Sequence, residues 1–231
     1  VPPQTSRQFV ASVNTTLKDG KYDLSLELYH KKMTNLITYK AGYSNLQNTE
    51  NWENAIETGG LGESYGLEFF LQRKTGKTTG WLGYTLSWTN RKFENINFGQ
   101  WYPYKYDRRH DISAVLTHKI NSNWDFSFTW SYGTGNAITF PQQLYLSNPQ
   151  TSFNYYQDPY VELIESYGDR NSTRMQAYHR LDVGFTHTKK KNKFDRIISF
   201  GAYNAYNRKN PFFAYLSYDL NGNRVARQVS L

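Results

Sequence analysis

Eleven residues from Trp101 to Asp111, WYPYKYDRRHD, hold four aromatic rings, three basic side chains, a histidine and two carboxylates. Three chemistries use such a set. Rings interleaved with cations can stack on and neutralise a nucleic-acid strand. A histidine beside carboxylates can move protons. An arginine and a carboxylate on one face of a strand form a charge-assisted pair. Elsewhere the reactive inventory is thin. The five histidines, His30, His110, His118, His179 and His187, are scattered without metal-ligand spacing. Cysteine is absent, which removes disulfides and cysteine-based zinc sites. Gly133-Thr134-Gly135 lacks the Lys-Ser/Thr of a phosphate-binding loop.

The elements that position these residues have a period of two. In WDFSFTWSYG, Trp124, Phe126, Phe128, Trp130 and Tyr132 alternate with Asp125, Ser127, Thr129, Ser131 and Gly133. Strict alternation over this length predicts a strand with two different faces. The same pattern recurs around Phe9–Val13, Tyr22–Tyr29, Tyr65–Gln72, Leu82–Thr89, Asp111–Ile120, Arg180–Thr186 and Ile198–Tyr203. These are eight strands, and Arg224–Leu231 is expected to add a ninth. Four connections are tight: Leu17–Lys21, Lys74–Gly80, Asn121–Asn123 and Lys189–Lys193. The alternate ones, Tyr39–Glu63, Phe93–Asp107, Asn136–Gln176 and Arg208–Asn223, are long. Short turns at one end and long loops at the other are the pattern of an outer-membrane barrel.

Placing the chemistry on these strands removes two of the three options. The lysines cluster in turns, as at Lys189, Lys190, Lys191 and Lys193, while the rings sit mid-strand, so no nucleic-acid partner is expected despite a net charge of +8. The strand serines Ser25, Ser113, Ser127, Ser131 and Ser199 have the parity opposite to His110 and His118, which opposes a Ser–His dyad of the outer-membrane phospholipase type. No enzyme, cofactor or metal is expected. Arg109 and Asp111 share the polar parity and are expected to pair. Arg108 and His110 take the other parity, where an arginine would meet lipopolysaccharide phosphates.

The aromatic load fits this picture: 20 Tyr, 14 Phe and 6 Trp in 231 residues. Tyrosine and tryptophan settle where one end of the ring is apolar and the other wet. A soluble sandwich would turn the apolar face inward, whereas a membrane barrel turns it to lipid. Trp88, Trp124, Trp130 and Tyr132 are read as a lipid-facing girdle. Asp23, Glu27, Glu68, Arg91, Arg109, Asp111, Arg180 and Asp182 are read as facing a lumen or a plug. The first ten residues, VPPQTSRQFV, contain no apolar stretch of signal-peptide type. A plugged lumen goes with about 22 strands, so nine strands read as part of a wall.

YPYKYDRRHD (Tyr102–Asp111), WSYGTGNAITFP (Trp130–Pro141) and YNAYNRKNPFF (Tyr203–Phe213) resemble C-terminal barrel strands of TonB-dependent outer-membrane transporters. The closest likeness is to the type with a carboxypeptidase-regulatory-like N-terminal domain. The resemblance implies an all-β fold: an antiparallel up-and-down meander of about eight to ten long strands, part of a 22-stranded barrel. Residues 1–231 would be a C-terminal segment of that barrel, with plug and final strand absent. It further implies import of a specific substrate across the outer membrane of a Gram-negative bacterium. The partners would be the chain's own plug, the TonB complex acting through it, outer-membrane lipid and lipopolysaccharide, and a surface lipoprotein. Trp101, Tyr102, Tyr104, Tyr145, Tyr155, Tyr156 and Tyr160, on long loops over a rigid scaffold, are the candidate substrate contacts. A barrel enzyme and a soluble glycan-binding β-protein are the alternatives.

Overall fold

The protein is described by a computed structural model covering residues 2–40, 52–146, 163–221 and 224–230. Its main element is a sheet built from consecutive hairpins. The long strands are β1 (Thr5–Leu17), β2 (Tyr22–Tyr39), β3 (Ile56–Arg73) and β4 (Thr78–Lys92). After the short β5 (Tyr102–Pro103) come β6 (His110–Lys119) and β7 (Trp124–Gly133). Between β7 and the next long strand lie β8 (Ala137–Ile138), β9 (Pro141–Leu146), β10 (Leu163–Tyr167) and β11 (Thr173–Arg174). The chain then forms β12 (Tyr178–Lys190), β13 (Asp195–Ala202), β14 (Pro211–Tyr218) and β15 (Arg224–Ser230). The order in the main sheet is β1-β2-β3-β4-β6-β7-β12-β13, with β5 added beside β4. Every pairing is antiparallel. The protein is therefore all-β, and the eight alternating segments of the sequence are the eight strands of this meander. The described strands do not close into a barrel.

The tight turns follow from their residues. Lys18, Asp19 and Gly20 all take positive φ, which reverses the chain between β1 and β2. At Asn121-Ser122-Asn123 the Asn121 carboxamide oxygen accepts from the backbone N–H of Asn123 (2.9 Å) and of Trp124 (3.0 Å). This is the local hydrogen bonding that makes Asn a turn residue.

Residues directly opposite in the ladder share a face, so register turns local alternation into two continuous surfaces. One row runs Val13–Leu26–Phe69–Tyr84–Ile112–Tyr132–His179. The adjacent row on the other face runs Ser12–Glu27–Glu68–Thr85–Asp111–Gly133–Tyr178. Among the described residues no second layer covers the apolar face. Phe9 is 72%, Val13 68%, Leu28 54% and Phe200 57% exposed.

The buried core is small and lies at the long-loop end. Leu36, Phe93, Ile96 and Tyr102 pack together, with Met33 against them. Gly60 makes this possible, since a Cβ there would lie 2.3 Å from the Phe93 ring.

The structure corrects the loops. The expected 39–63 connection is shorter, because β2 and β3 stay paired up to Tyr39↔Ile56. Register shifts after Met33 and Leu36 break the period of two, and Asn35 has positive φ, so the extension carries no alternating signal. The 208–223 connection contains β14, which pairs with β15 in a separate two-stranded sheet. The expected ninth strand exists as β15, but it does not extend the meander. The 136–176 connection contains β8 to β11, paired as β8 with β11 and β9 with β10.

Candidate functional site

The loop-side end of the sheet is organised by one carboxylate. Asp107 is 1% exposed, and its Oδ1 accepts from the Thr89 backbone N–H at 2.6 Å. Its Oδ2 takes the Arg109 guanidinium at 3.4 Å and that of Arg174, which also donates to the Asp107 backbone carbonyl. Arg174 Nη1 reaches Gly135 O at 3.3 Å as well, so one guanidinium ties three loop segments together. Two arginines around one carboxylate leave a cationic excess, part of which rests on aromatic faces. Arg109 lies over Trp88 with its Cζ 4.3 Å from the ring centroid.

The expected Arg109–Asp111 pair is therefore replaced. Arg108 Nη1 reaches Asp111 Oδ2 at 3.4 Å, while Arg109 goes to Asp107 and Trp88. The cause is local. Ser87 engages two successive residues, its N–H donating to Arg109 O (3.1 Å) and its hydroxyl to Arg108 O (2.9 Å). Regular pairing with β4 starts only at His110, so parity counted back from the strand does not hold at 108 and 109.

Beside this node lies a cavity of about 520 Å³, lined by Ile37, Thr38, Tyr39, Ile56, Arg91, Tyr102, Tyr104, Lys105, Arg170 and Asn171. A neighbouring cavity of about 540 Å³ shares Tyr39 and Arg170 with it and adds Lys40, Asn97 and Phe98. Arg91 Cζ sits 3.6 Å from the Tyr104 ring centroid. Arg170 Cζ is 5.7 Å from that of Tyr102. Tyr102 is 3% exposed, and burial raises its phenol above the ordinary tyrosine range, opposed by the nearby charges of Arg170 and Arg91. It is therefore a neutral hydroxyl at physiological pH. The 169–172 turn that presents Arg170 is itself anchored. Arg170 N–H donates to Asn97 Oδ1 (2.8 Å), and Asn171 Nδ2 donates to Pro103 O (2.8 Å).

Of the expected substrate contacts, Tyr102 and Tyr104 line this cavity. Trp101 is about half exposed and lines neither cavity. Tyr145 lies in β9 opposite Ile164. Tyr155, Tyr156 and Tyr160 fall outside the described residues.

The expected polar-face set is dispersed along the sheet. Asp23 pairs with Lys74 and accepts from Thr16 at the tight-turn end. Glu27 and Glu68 stand directly opposite one another. Arg180 pairs with Asp182 at 3.0 Å, and Asp182 Oδ1 accepts from the Asn204 N–H. Arg91 is the member that belongs to the cavity.

The expected girdle residues share the other face. Trp88 stacks on Tyr65 at 5.3 Å, and Trp130 lies 6.1 Å from Tyr132. Tyr132 faces His179, and Trp124 lies 4.8 Å from His187. The register puts all five histidines on this apolar face, opposite His30↔Tyr65, Leu86↔His110, Thr78↔His118, Tyr132↔His179 and Trp124↔His187. The strand serines occupy the other face, so among the described residues no strand Ser–His dyad is assembled. Among the described residues no group of three metal-ligating side chains occurs.

Asp107, Lys105, Arg170, Arg174 and Tyr39 escaped the sequence reading of the site. Asp107 offered a signal, as a carboxylate inside a basic, aromatic run. Arg170 and Arg174 lie on another loop, and no local pattern joins them to it. No family model matches the chain, and no curated protein matches it.

Proposed function

We propose that this chain forms part of the wall of a large outer-membrane barrel, in a TonB-dependent transporter that imports a specific substrate. The observation that carries the reading is the uncovered apolar face. On β1, β2 and β13, side chains of this face such as Phe9, Val13, Leu28, Ile198 and Phe200 are exposed, and Tyr65 on β3 and Leu82 on β4 join them. Apolar patches beyond a few hundred Å² are rare on soluble monomers, and a lipid-facing wall needs such a surface. The girdle pairs Tyr65–Trp88 and Trp124–His187 lie toward opposite ends of the strands, where two membrane interfaces would be. The polar face supplies a lumen, and the layer around Asp107 supplies a substrate vestibule on the long-loop side. On this reading a plug fills the lumen, the TonB complex pulls on it, and lipopolysaccharide and a surface lipoprotein meet the outer rim.

The test is carbonate extraction of native membranes, followed by uptake with and without an energised inner membrane. Retention in the pellet and uptake that stops on collapse of the proton gradient are expected. Release into the aqueous phase sinks the reading and favours a soluble β-protein.

A further inference from the structure

We infer that the cavity between Arg91, Lys105 and Arg170 is a binding site for a small ligand carrying at least two negative groups on a flat ring scaffold. This rests on the vestibule assignment above and names the chemistry of its ligand. Three cations line the cavity, and among the described residues no carboxylate does. Two carboxylates nearby in sequence are committed elsewhere. Asp107 is taken by Arg109 and Arg174, and Glu57, next to the lining residue Ile56, accepts from Asn95 at 2.8 Å. Among the described residues, none of the three cations has an ion-pair partner, and Arg91 Nε is buried with no hydrogen-bond partner. Gathering like charges in a partly dry site is unfavourable until an anion enters.

The geometry also sets the shape of the ligand. Arg91 already covers one ring, Tyr104, which holds the guanidinium plane and leaves its edge as a donor fork. Arg170 is carried on a turn anchored by Asn97 and Pro103, so its position is set before binding. Tyr39 and Tyr102 add aromatic rings to the lining, and Tyr102 is a neutral hydroxyl near the charges of Arg170 and Arg91. Arg91 shares a ladder position with Gly62 and Tyr102, on the polar face, so the site opens away from the apolar surface. A ligand from solution therefore fits better than a lipid head group.

The experiment titrates the membrane-reconstituted protein with naphthalene-2,6-dicarboxylate and with its neutral diamide, reading ligand fluorescence. Saturable binding of the dianion, at least tenfold tighter than the diamide and weakened by salt, is expected. Arg91→Gln and Arg170→Gln should each weaken the dianion about tenfold, as loss of a charge-assisted hydrogen bond does. Lys105→Gln, on an exposed turn where folding is not at stake, should weaken it about threefold. Equal affinity for dianion and diamide, no saturable binding, or indifference to Lys105→Gln and Arg170→Gln together overturns the inference. Carbonate extraction of the same preparation separates the two readings. A membrane-retained protein that ignores the dianion loses only this site. A protein that is extracted yet binds the dianion keeps the site and loses the transporter reading.

Discussion

Arg174 and Asp107 are 67 residues apart in sequence and share two contacts, one through the carboxylate and one through the Asp107 carbonyl. With Arg109 on the same carboxylate, Asp107 holds the 104–109 turn to the 168–176 segment. Asp107→Asn leaves two half-buried guanidinium groups facing a neutral amide, at a cost of about 1–3 kcal/mol. The loss should be local. Limited proteolysis is expected to cut the 134–146 and 163–176 segments faster, with the strand circular dichroism unchanged. Arg174→Lys keeps the charge but loses the fork, so it should loosen the same segments less than Asp107→Asn does. Uniform destabilisation of the whole sheet would contradict this local role.

The two glycines flanking Thr134 have different tasks. A Cβ on Gly135 would sit 1.9 Å from the Met175 carbonyl oxygen, where the backbones cross beside the Met175 N–H bond to Asn136 O (3.0 Å). A Cβ on Gly133 meets the Arg108 guanidinium end at 3.0 Å, which can shift. Gly135→Ala should therefore cost about 1–3 kcal/mol, as overpacking does, and Gly133→Ala well under that. Thermal melts of the two variants check the ranking, and a reversed order would contradict it.

The sheet was legible because eight segments repeat one local signal, and antiparallel hairpins pair sequence neighbours. Strand faces were legible for the same reason, which is why the histidines and serines separate as parity requires. Legibility failed wherever the period of two is interrupted. The shifts after Met33 and Leu36 hid the outer ends of β2 and β3, and the doubled contact of Ser87 exchanged the roles of Arg108 and Arg109. The cavity was half legible. Tyr102 and Tyr104 came from a dense aromatic run, whereas Arg170 is brought in by Asn97, 73 residues away.

Glu27 and Glu68 face each other across β2 and β3, between Ser12 and Thr85. Like charges at directly opposite positions oppose pairing by about 0.2–1 kcal/mol. Glu68→Gln should raise stability by about that amount, read from the denaturant midpoint at low salt, with the gain shrinking as salt is added. A loss of stability would mean that a cation pairs with Glu68 in the assembled protein.

Tyr102 gives the loop layer a pH dependence. Burial raises its phenol, so in the folded protein it titrates above the value near pH 10 that it has in an unfolded chain. Between those two values the folded state keeps a proton that the unfolded state has lost. Stability therefore falls as pH rises through this window, and the contribution is fully present below it. Tyr102→Phe removes the titration. The melting-temperature difference between wild type and Tyr102→Phe should shift against wild type from about pH 9 to about pH 11. A pH-independent difference would remove the phenol from the account.

The tryptophans divide by face, and this tests which solvent each face meets. Trp88, Trp124 and Trp130 lie on the apolar face, whereas Trp81 lies on the polar face opposite Gln72 and Val115, with its ring 6.0 Å from Phe70. A lipid-facing wall puts the first three within reach of brominated acyl chains and keeps Trp81 away from them. Trp124 begins β7 at the tight-turn end, and Trp88 lies near the long-loop end of β4, so both would sit close to an interface. In single-tryptophan variants reconstituted into bilayers, shallow bromines should quench Trp88 and Trp124 more than deep ones. Trp81 should respond to aqueous acrylamide and to neither lipid. Equal lipid quenching of Trp81 and Trp124 would mean that the faces are not separated by a bilayer. Aqueous quenching of Trp124 and Trp88 without any lipid effect would turn the apolar surface toward a protein partner instead.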